Sequence, residues 1–576
     1  MSGLNELIFD TWTTLTFKQQ FGPRRVPAPV TWTAPSWVGE EHQRRLLAYM
    51  VLQSYIDNAA REFLANKNER EKAEHREYGD PALFRNAALS AVLGEEQAIT
   101  VDGAADDPEA DGTDAEQVRL AQRQQAWLED WADDERFLEK LQEGESNAVG
   151  LGDGVYTLGW SASKQRPRLR VFDPGFYFPV LGDGNEDDYP ERVHIAWELP
   201  PDPGKPGKVR VRRLTWDLVD LEESGTRRVA YQDDPVTKTC LFTDATWTLA
   251  DGVVSVDDLT QGTAEYLTNE DGEEIDRLDL GIDFIPVVHI TNTVAGGHHY
   301  GRSALAYIAQ LFDDLAAVDT DLEAAAATTG TPPIALSGVS TSDDTLTVGP
   351  GVVYKLGENG KMTALDTSKS LDALLGLQGS LMDRLSVNGR MPAALLGRVD
   401  PSEVPSGVAM TLSFGPHSAM VREMRLARRA KYRLLFRFVH RMALVGGLGG
   451  EEEGLPGRHI TTELEFGAFL PNDESGTVQN VIRLLEAGAV SLEAAVEMLR
   501  AVGLTDRDQQ DEIDSIQSRD FEGASTLFDA TGDLDAVFRY LGLTRPELPS
   551  LPPTPPGGPT PPEPAPPGPE GAPGTP

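Results

Sequence analysis

Apolar residues first recur at helical spacing over residues 40–76, where Leu46, Leu47, Met50, Ile56 and Phe63 predict one amphipathic helical stretch. Ahead of it, residues 1–39 are rich in Trp, Thr and Pro ("VPAPVTWTAPSWVG"), the pattern of an extended arm with anchoring aromatics. An acidic Gly/Pro/Asp stretch, "VDGAADDPEADGT" (101–113), reads as a solvated linker. Asp114 then suits the N-cap of a helix running to about Leu141, with Trp127, Leu128, Trp131, Phe137 and Leu138 on its apolar side. At Gly150 the period shortens. "GLGDGVYTLGW", "RLRVFDPGFYFPVL", "RVHIAWEL", "KVRVRRLTWDLV", "TCLFTDATWTL" and "AEYLTNEDGEEIDRLDL" alternate and are punctuated by Gly, Asp and Pro, so they predict strands, ending at "FIPVVHI" (284–290).

A long helix follows over about 303–329, ~27 residues or ~40 Å at 1.5 Å per residue. Gly301 is expected to free the backbone to turn and Ser303 to cap the helix start. A compact β-like insertion (331–367) carries the tight hairpin "GENGK". A second helix spans about 370–388. The loop "NGRMPAALLGRVDPSEVPSG" (388–407) leads to another long helix, with a kink expected at Gly415-Pro416 and an end at "GGLGG" (446–450). After a strand, "ITTELEFG" (460–467), two helices break at Ala487-Gly488, with Ser491 capping the second and Glu493 and Glu497 near its start. Residues 546–576 are Pro/Gly-rich and read as a disordered or polyproline tail.

Two helix faces stand out. Arg422, Arg425, Arg429, Arg433, Arg437 and Arg441 step by three and then by four, placing them on one arc of their helix; Met424, Ala427, Leu434, Leu435, Phe438 and Met442 take the opposite arc. The stripe suits ion pairing, within the chain or across a subunit boundary, or contact with nucleic-acid phosphates. The 303–329 helix is the reverse: Leu305, Ile308, Leu311, Phe312, Leu315, Val318 and Leu322 share a face, and Asp313, Asp314 and Asp321 lie away from it.

Composition narrows the field. The 576 residues hold 51 Lys+Arg against 92 Asp+Glu, a formal charge of −41, which opposes non-specific coating of nucleic acid or anionic lipid. One cysteine, Cys240, excludes an intrachain disulfide framework and fits a reducing compartment. No apolar run approaches the ~18 residues of a membrane span, and the N-terminus lacks a secretory pattern, so a cytoplasmic origin without a membrane is expected. Enzyme motifs are wanting. His298-His299 reads as a polar turn, "GDGNEDDYPE" (182–191) lacks calcium-loop spacing, "GGLGGEEEG" has no GK[ST] after it, and there is no G-x-S-x-G, H-E-x-x-H or C-x-x-C. Neither a cofactor nor a metal is expected.

The order of pieces resembles the portal protein of tailed bacteriophages. "LGDGVYTLGW" is similar to the strand opening that family's wing. "IPVVHITN…GRSALAYIAQLFDDLAAVDTDL" resembles its passage into the stem, and "TPPIALSG…VGPGVVYKLGENGKMTALD" its clip. "GRMPAALLG…PSGVAM" resembles the tunnel loop and spine helix, and "FLPNDESGTVQNVIRLLEAGAVSLEAAVEML" its C-terminal helices. The resemblance spans about residues 40–520. It implies an α+β multidomain portal fold: helical wing (40–150), β-rich wing (151–300), stem helices (301–330, 369–388), α/β clip insertion (331–368), tunnel loop (389–407), long spine helix with return strand (408–470) and helical crown (471–545). It implies a ring of about twelve subunits at one capsid vertex of the virion, assembled in the host cytoplasm and not itself an enzyme. Double-stranded DNA would pass through its channel, and its partners would be the terminase large subunit, a head–tail adaptor, and major capsid and scaffold proteins.

The same resemblance assigns site residues. Asn388, Arg390, Arg398, Asp400 and Glu403 would face the channel. Asp343, Asp344, Lys355, Glu358 and Lys361 would serve clip docking. Arg422, Arg425, Arg429, Arg433 and Arg437 would form an inter-subunit stripe, and Asp313, Asp314 and Asp321 an acidic stem face. Two other readings stay open: a head–tail adaptor or minor capsid protein without a conduit, and an acidic hydrolase with two carboxylates converging in a pocket.

Overall fold

The computed structural model describes residues 35–60, 77–106, 108, 114–181, 189–200, 208–221, 237–250, 253–268, 273–294, 299–330, 334–337, 361–364, 368–396, 413–449, 455–469, 478, 481–485, 487–500 and 512–513. The chain divides into two units, residues 1–470 and 471–576.

In the first unit, Trp37 and Val38 are fully buried, and the Trp37 indole donates to Glu198 at 3.0 Å, so the end of the Trp/Pro arm is anchored. Helix α1 (Glu40–Ile56) follows. Leu46 and Met50 are buried in it as the spacing predicts, while Leu47 is exposed. Two elements the pattern did not announce come next, helix α2 (Asp80–Leu93) and strand β1 (Gln97–Val101). Helix α3 (Ala115–Glu135) starts where Asp114 accepts from the Glu116 and Gln117 amides. Arg136, with φ of 52°, breaks the axis, and α4 (Phe137–Leu151) continues well past the predicted end at Leu141. Residues 150 and 151 are therefore helical, and the β-rich region starts at Asp153.

That region holds two sheets. Strands β2 (Asp153–Ser161), β3 (Arg166–Phe172) and β11 (Val287–Thr291) form an antiparallel three-stranded sheet in the order β11-β2-β3. A seven-stranded sheet holds β4 (Tyr177–Val180), β5 (Arg192–Leu199), β6 (Arg210–Asp220), β7 (Lys238–Thr248), β8 (Thr263–Thr268) and β9 (Glu274–Ile275) in sequence order, with β10 (Leu278–Asp279) pairing back onto β7. Consecutive antiparallel neighbours need no crossover connection, and the Gly/Asp/Pro punctuation of the sequence falls between these strands.

Helix α5 (Ala309–Gly330) leaves the sheet region; α6 (Ser368–Asn388) packs on it, and between them β12 (Ile334–Ser337) pairs with β13 (Lys361–Ala364). Helix α7 (Gly415–Val445) crosses the first unit, and β14 (Thr462–Phe466) returns to pair with β1. Helix α7 opens at Gly415-Pro416; Ser413 just before it is also helical, Phe414 between them keeps a helical backbone, and the segment ahead of Ser413, on which the expected kink depends, lies outside the described residues. Proline in the first turn lacks only an N–H that would have no helical partner anyway. In the second unit, Gly488 takes φ of 66° before α8 (Leu492–Arg500), and Ser491 Oγ accepts from the Ala494 amide at 3.2 Å. Residues 546–576 lie outside the described residues.

The joint between the sheets and the segment leading into α5 is made by two glycine-bearing segments far apart in sequence. The backbone at Gly152 has φ of 111°, and a Cβ there would meet the Gly301 carbonyl; a Cβ on Gly301 would land against the Gly152 carbonyl oxygen. Gly301 is thus required by close approach, and the turn-freeing role expected of it is secondary. Its amide donates to Asp153 Oδ1 at 2.7 Å. Ser303 Oγ donates to the Gly150 carbonyl and accepts from the Leu305 amide, so it fixes a run of tight turns; the α-helix proper starts six residues later, at Ala309.

Gly301→Ala should therefore cost roughly 3 kcal/mol or more, the range of overpacking with backbone shift. Gly376→Ala, where a Cβ meets open space in the interior of α6, should instead stabilise by up to about 1 kcal/mol. Denaturant titration of both variants checks the pair.

Candidate assembly and docking surfaces

Helix α7 is held by a buried ion pair. Arg428 Nε donates to Glu145 Oε2 on α4 at 2.6 Å, and both residues are fully buried. The rest of the guanidinium is used: Nη1 donates to the Asn292 and Met424 carbonyls at 3.0 and 2.7 Å, Nη2 to Asn292 Oδ1 at 2.9 Å. Tyr432 donates to the second Glu145 oxygen at 2.6 Å and lies 3.1 Å from the Tyr156 hydroxyl. A buried pair holds only when its remaining donors and acceptors are met, as they are here. The arginine periodicity passed over Arg428, although a charge at a position aligned with Met424 and Tyr432 on the apolar side of a helix is a visible signal.

The six stripe arginines have different surroundings. Arg425 turns inward: its guanidinium donates to the carbonyls of Ala91 and Val92, in the last turn of α2, and to those of Phe466 and Gly467, at 2.8–3.2 Å. A cation at a helix C-terminus meets carbonyls that have no helical partner. Burial, and then Arg428, lowers its pKa to about 10. Arg429 makes a two-pronged pair with Glu463 on β14 at 2.9 and 3.1 Å, which Arg433 also joins; Arg441 pairs with Asp283 at 3.2 Å. Arg437 and Arg422 are exposed, and Arg422 has no partner among the described residues.

Of the predicted apolar face, Phe312, Leu315 and Val318 are buried on α5, and Leu305 and Ile308 are buried in the turns that precede it. Asp313 is half-buried and accepts from the Tyr55 hydroxyl at 2.8 Å, whereas Asp314 and Asp321 are exposed. The sequence reading missed Asp319, which is 6% exposed and accepts from Gln378 on α6 at 2.5 Å; burial raises its carboxyl pKa and the Gln378 hydrogen bond offsets part of that. It joins the two stem helices.

Of the loop residues, Asn388 ends α6 exposed, and Arg390, with φ of 52°, lies 3.5 Å from Glu423 on α7 while its carbonyl lies 3.1 Å from His417 Nδ1. Arg398, Asp400 and Glu403 lie outside the described residues, as do the clip residues Asp343, Asp344, Lys355 and Glu358. Lys361 opens β13, exposed, opposite Ser337. Among the described residues no group of three His, Cys, Asp or Glu is placed to hold a metal ion, and no helix is long and apolar enough to cross a membrane. Glu77, Asp80, Asp313 and Asp319 line one small cavity of about 30 Å³, too small for a substrate.

No protein-family model matches the chain, and no curated protein matches it. Among solved structures, a chain from the neck of an empty GTA particle, computed with C6 symmetry, is similar at 12% identity over 82% of this chain and 96% of that one, with a TM-score of 0.36. That score is below the level that establishes a common fold.

The C-terminal end of α7 supplies a pH dependence. The His440 ring meets His459 edge-on at 5.1 Å. Burial lowers His440 to about 4, against the Pro456 carbonyl that favours its proton and with Arg441 beside it; burial, then His440, Arg437 and Arg441, lowers His459 to about 3. Both fold neutral and protonate more readily when unfolded, so the unfolded state gains protons first. Their stabilisation is complete above about pH 6.5 and is lost as pH falls toward the folded values. Unfolding free energy should drop by about 2 kcal/mol per histidine between pH 7 and pH 5, and His440→Leu should flatten that slope when stability is measured at both pH values.

Proposed function

We propose that the protein is a phage portal, a ring of about twelve copies at one capsid vertex that conducts double-stranded DNA without acting as an enzyme. The observation that carries the reading is the excursion from the wing: a 22-residue helix, a paired β12–β13 insertion and a 21-residue helix packed back on the first. An adaptor without a conduit has no need of such a stalk. The order of pieces quoted from the sequence supports the same assignment, with the 151–300 region as wing and α7 as spine.

In this reading the stalk tip is the clip, where Lys361 and its neighbours dock the terminase large subunit and then the head–tail adaptor. The loop after Asn388 faces DNA. With one phosphate charge per ~1.7 Å of duplex, a wall that bound phosphates tightly would stall translocation, and acidic surplus avoids that. Arg390, partnered by Glu423, has part of its charge offset. The 471–545 segment is the crown. Of the stripe, Arg422, Arg429, Arg433 and Arg437 remain outward enough to serve a subunit boundary, while Arg425 serves its own chain. Major capsid and scaffold proteins are the remaining partners of a vertex protein.

Electron microscopy of the purified protein, or of particles assembled with scaffold, tests the reading. Closed rings of roughly 0.7–0.8 MDa are expected from twelve copies of a 62.6 kDa chain. Monomer under every salt condition, with no ring in assembled heads, would overturn it. Lys361→Glu should leave rings intact and weaken capture of the packaging ATPase several-fold in a pull-down.

A further inference from the structure

Two exposed helix faces in this chain carry complementary patterns at matching spacing. On α5, Asp314, Ala317 and Asp321 are exposed and fall within one arc, because steps of three and then four residues return to the same side of a helix. Neither Asp314 nor Asp321 has a partner among the described residues. On α7, Arg422, Leu426 and Arg429 are exposed and step by four and then three. Leu426 is 64% exposed, unusual for a leucine in the middle of a 31-residue helix, and it lies between the unpartnered Arg422 and an Arg429 whose side chain is 60% exposed despite its pair with Glu463.

Both triplets span seven residues, ~10.5 Å along the axis. Read in opposite chain directions the steps coincide: Asp314 faces Arg429, Ala317 faces Leu426 and Asp321 faces Arg422. A small residue opposite a protruding leucine is the shape that lets helices approach to 8–10 Å. A parallel register would also pair the charges, Asp314 with Arg422 and Asp321 with Arg429, but it would set Leu426 one residue, ~1.5 Å, away from Ala317, so the fit of leucine to alanine favours the antiparallel one. A chain of net charge −41 repels its own copies, so self-association needs local sites at which a cation meets an unpaired carboxylate. The two faces differ, which is what a head-to-tail contact between copies requires.

We infer that the Asp314–Ala317–Asp321 face of α5 in one copy packs antiparallel on the Arg422–Leu426–Arg429 face of α7 in the next. This rests on the ring reading and specifies one of its subunit boundaries. The contact is partly desolvated once Leu426 is covered; its charge pairs set register more than affinity, and the Leu426–Ala317 fit sets direction.

Cysteine cross-linking tests it without interference, because the chain's one cysteine, Cys240, is buried. Chains bearing Ala317→Cys and chains bearing Leu426→Cys are co-expressed and oxidised. A cross-linked dimer is expected from the mixture and not from either variant alone. Arg422→Cys should link to Asp321→Cys and not to Asp314→Cys. In parallel, Asp321→Arg should weaken self-association about tenfold or more, and Arg422→Asp in the same chain should restore it. A denaturation midpoint close to wild type shows that each variant is folded. No dimer above the single-variant background, or no recovery in the charge swap, overturns the contact. Cross-linked dimers without closed rings would keep the contact and overturn the ring, while closed rings without the cross-link would do the reverse.

Discussion

The first unit depends on one buried ion pair. Arg428 and Glu145 have no access to water, and the pair gathers α7, α4 and the Asn292 turn after β11 at a single point. Removing one partner of such a pair leaves a buried charge unmet and commonly costs about 3–5 kcal/mol. What it gives here is position. Asn292 is itself held, its amide donating to the Gly152 carbonyl and its side chain to the Arg302 carbonyl. Helix α7 is thereby registered against the segment from which the chain departs toward α5. A second polar centre reinforces this: Asp153, buried, accepts from Tyr49, from His289 at 2.7 Å and from the Gly301 amide. Charges are confined to places where geometry must be unique, and the apolar core around them fills the space.

The acidic surplus sets the terms for everything outside that core. On α7, Arg425, Arg428, Arg429, Arg433 and Arg441 are engaged within the chain, by backbone carbonyls or by Glu145, Glu463 and Asp283, so little positive surface is left there for indiscriminate contact with polyanions. Attraction to another acidic molecule, a polyanion or a second copy of this chain, then has to come from a few placed groups, while the background is repulsive and screened by salt.

Much of this was legible in the sequence where local rules govern. The alternation after Gly150 marked the strands, Asp114 and Ser491 marked helix starts, and the period-3.6 pattern found the buried face of α5. The misses have physical causes. Gly150 and Leu151 look like a strand start because glycine suggests a turn, yet they finish α4, where small residues let neighbours close in. Arg428 and Glu145 are 283 residues apart, and no spacing rule joins them. The same holds for Gly152 and Gly301, whose shared role exists only once the chain has folded. Asp319 was hidden among neighbours of the same charge, and its hydrogen bond to Gln378 crosses an insertion. The channel and clip residues beyond Asn388, Arg390 and Lys361 lie outside the described residues, so no geometry bears on them.

The two ends of the stalk share one small core. Leu305 and Ile308 at its departure and Leu385 and Met391 at its return are buried together, with Phe84 and Met424. Topologically the segment between them is a removable insert: its ends are already joined, so the wing does not feel its length. Lengthening such a loop costs only a slowly rising closure entropy, about 0.6 kcal/mol per doubling. The tip can therefore drift in size and sequence to suit whatever it meets, while the residues at the shared base cannot. A tilt of α5 and α6 has that shared base to pivot on, so it reaches the sheets by way of Gly301 and the Asp153 it is bonded to.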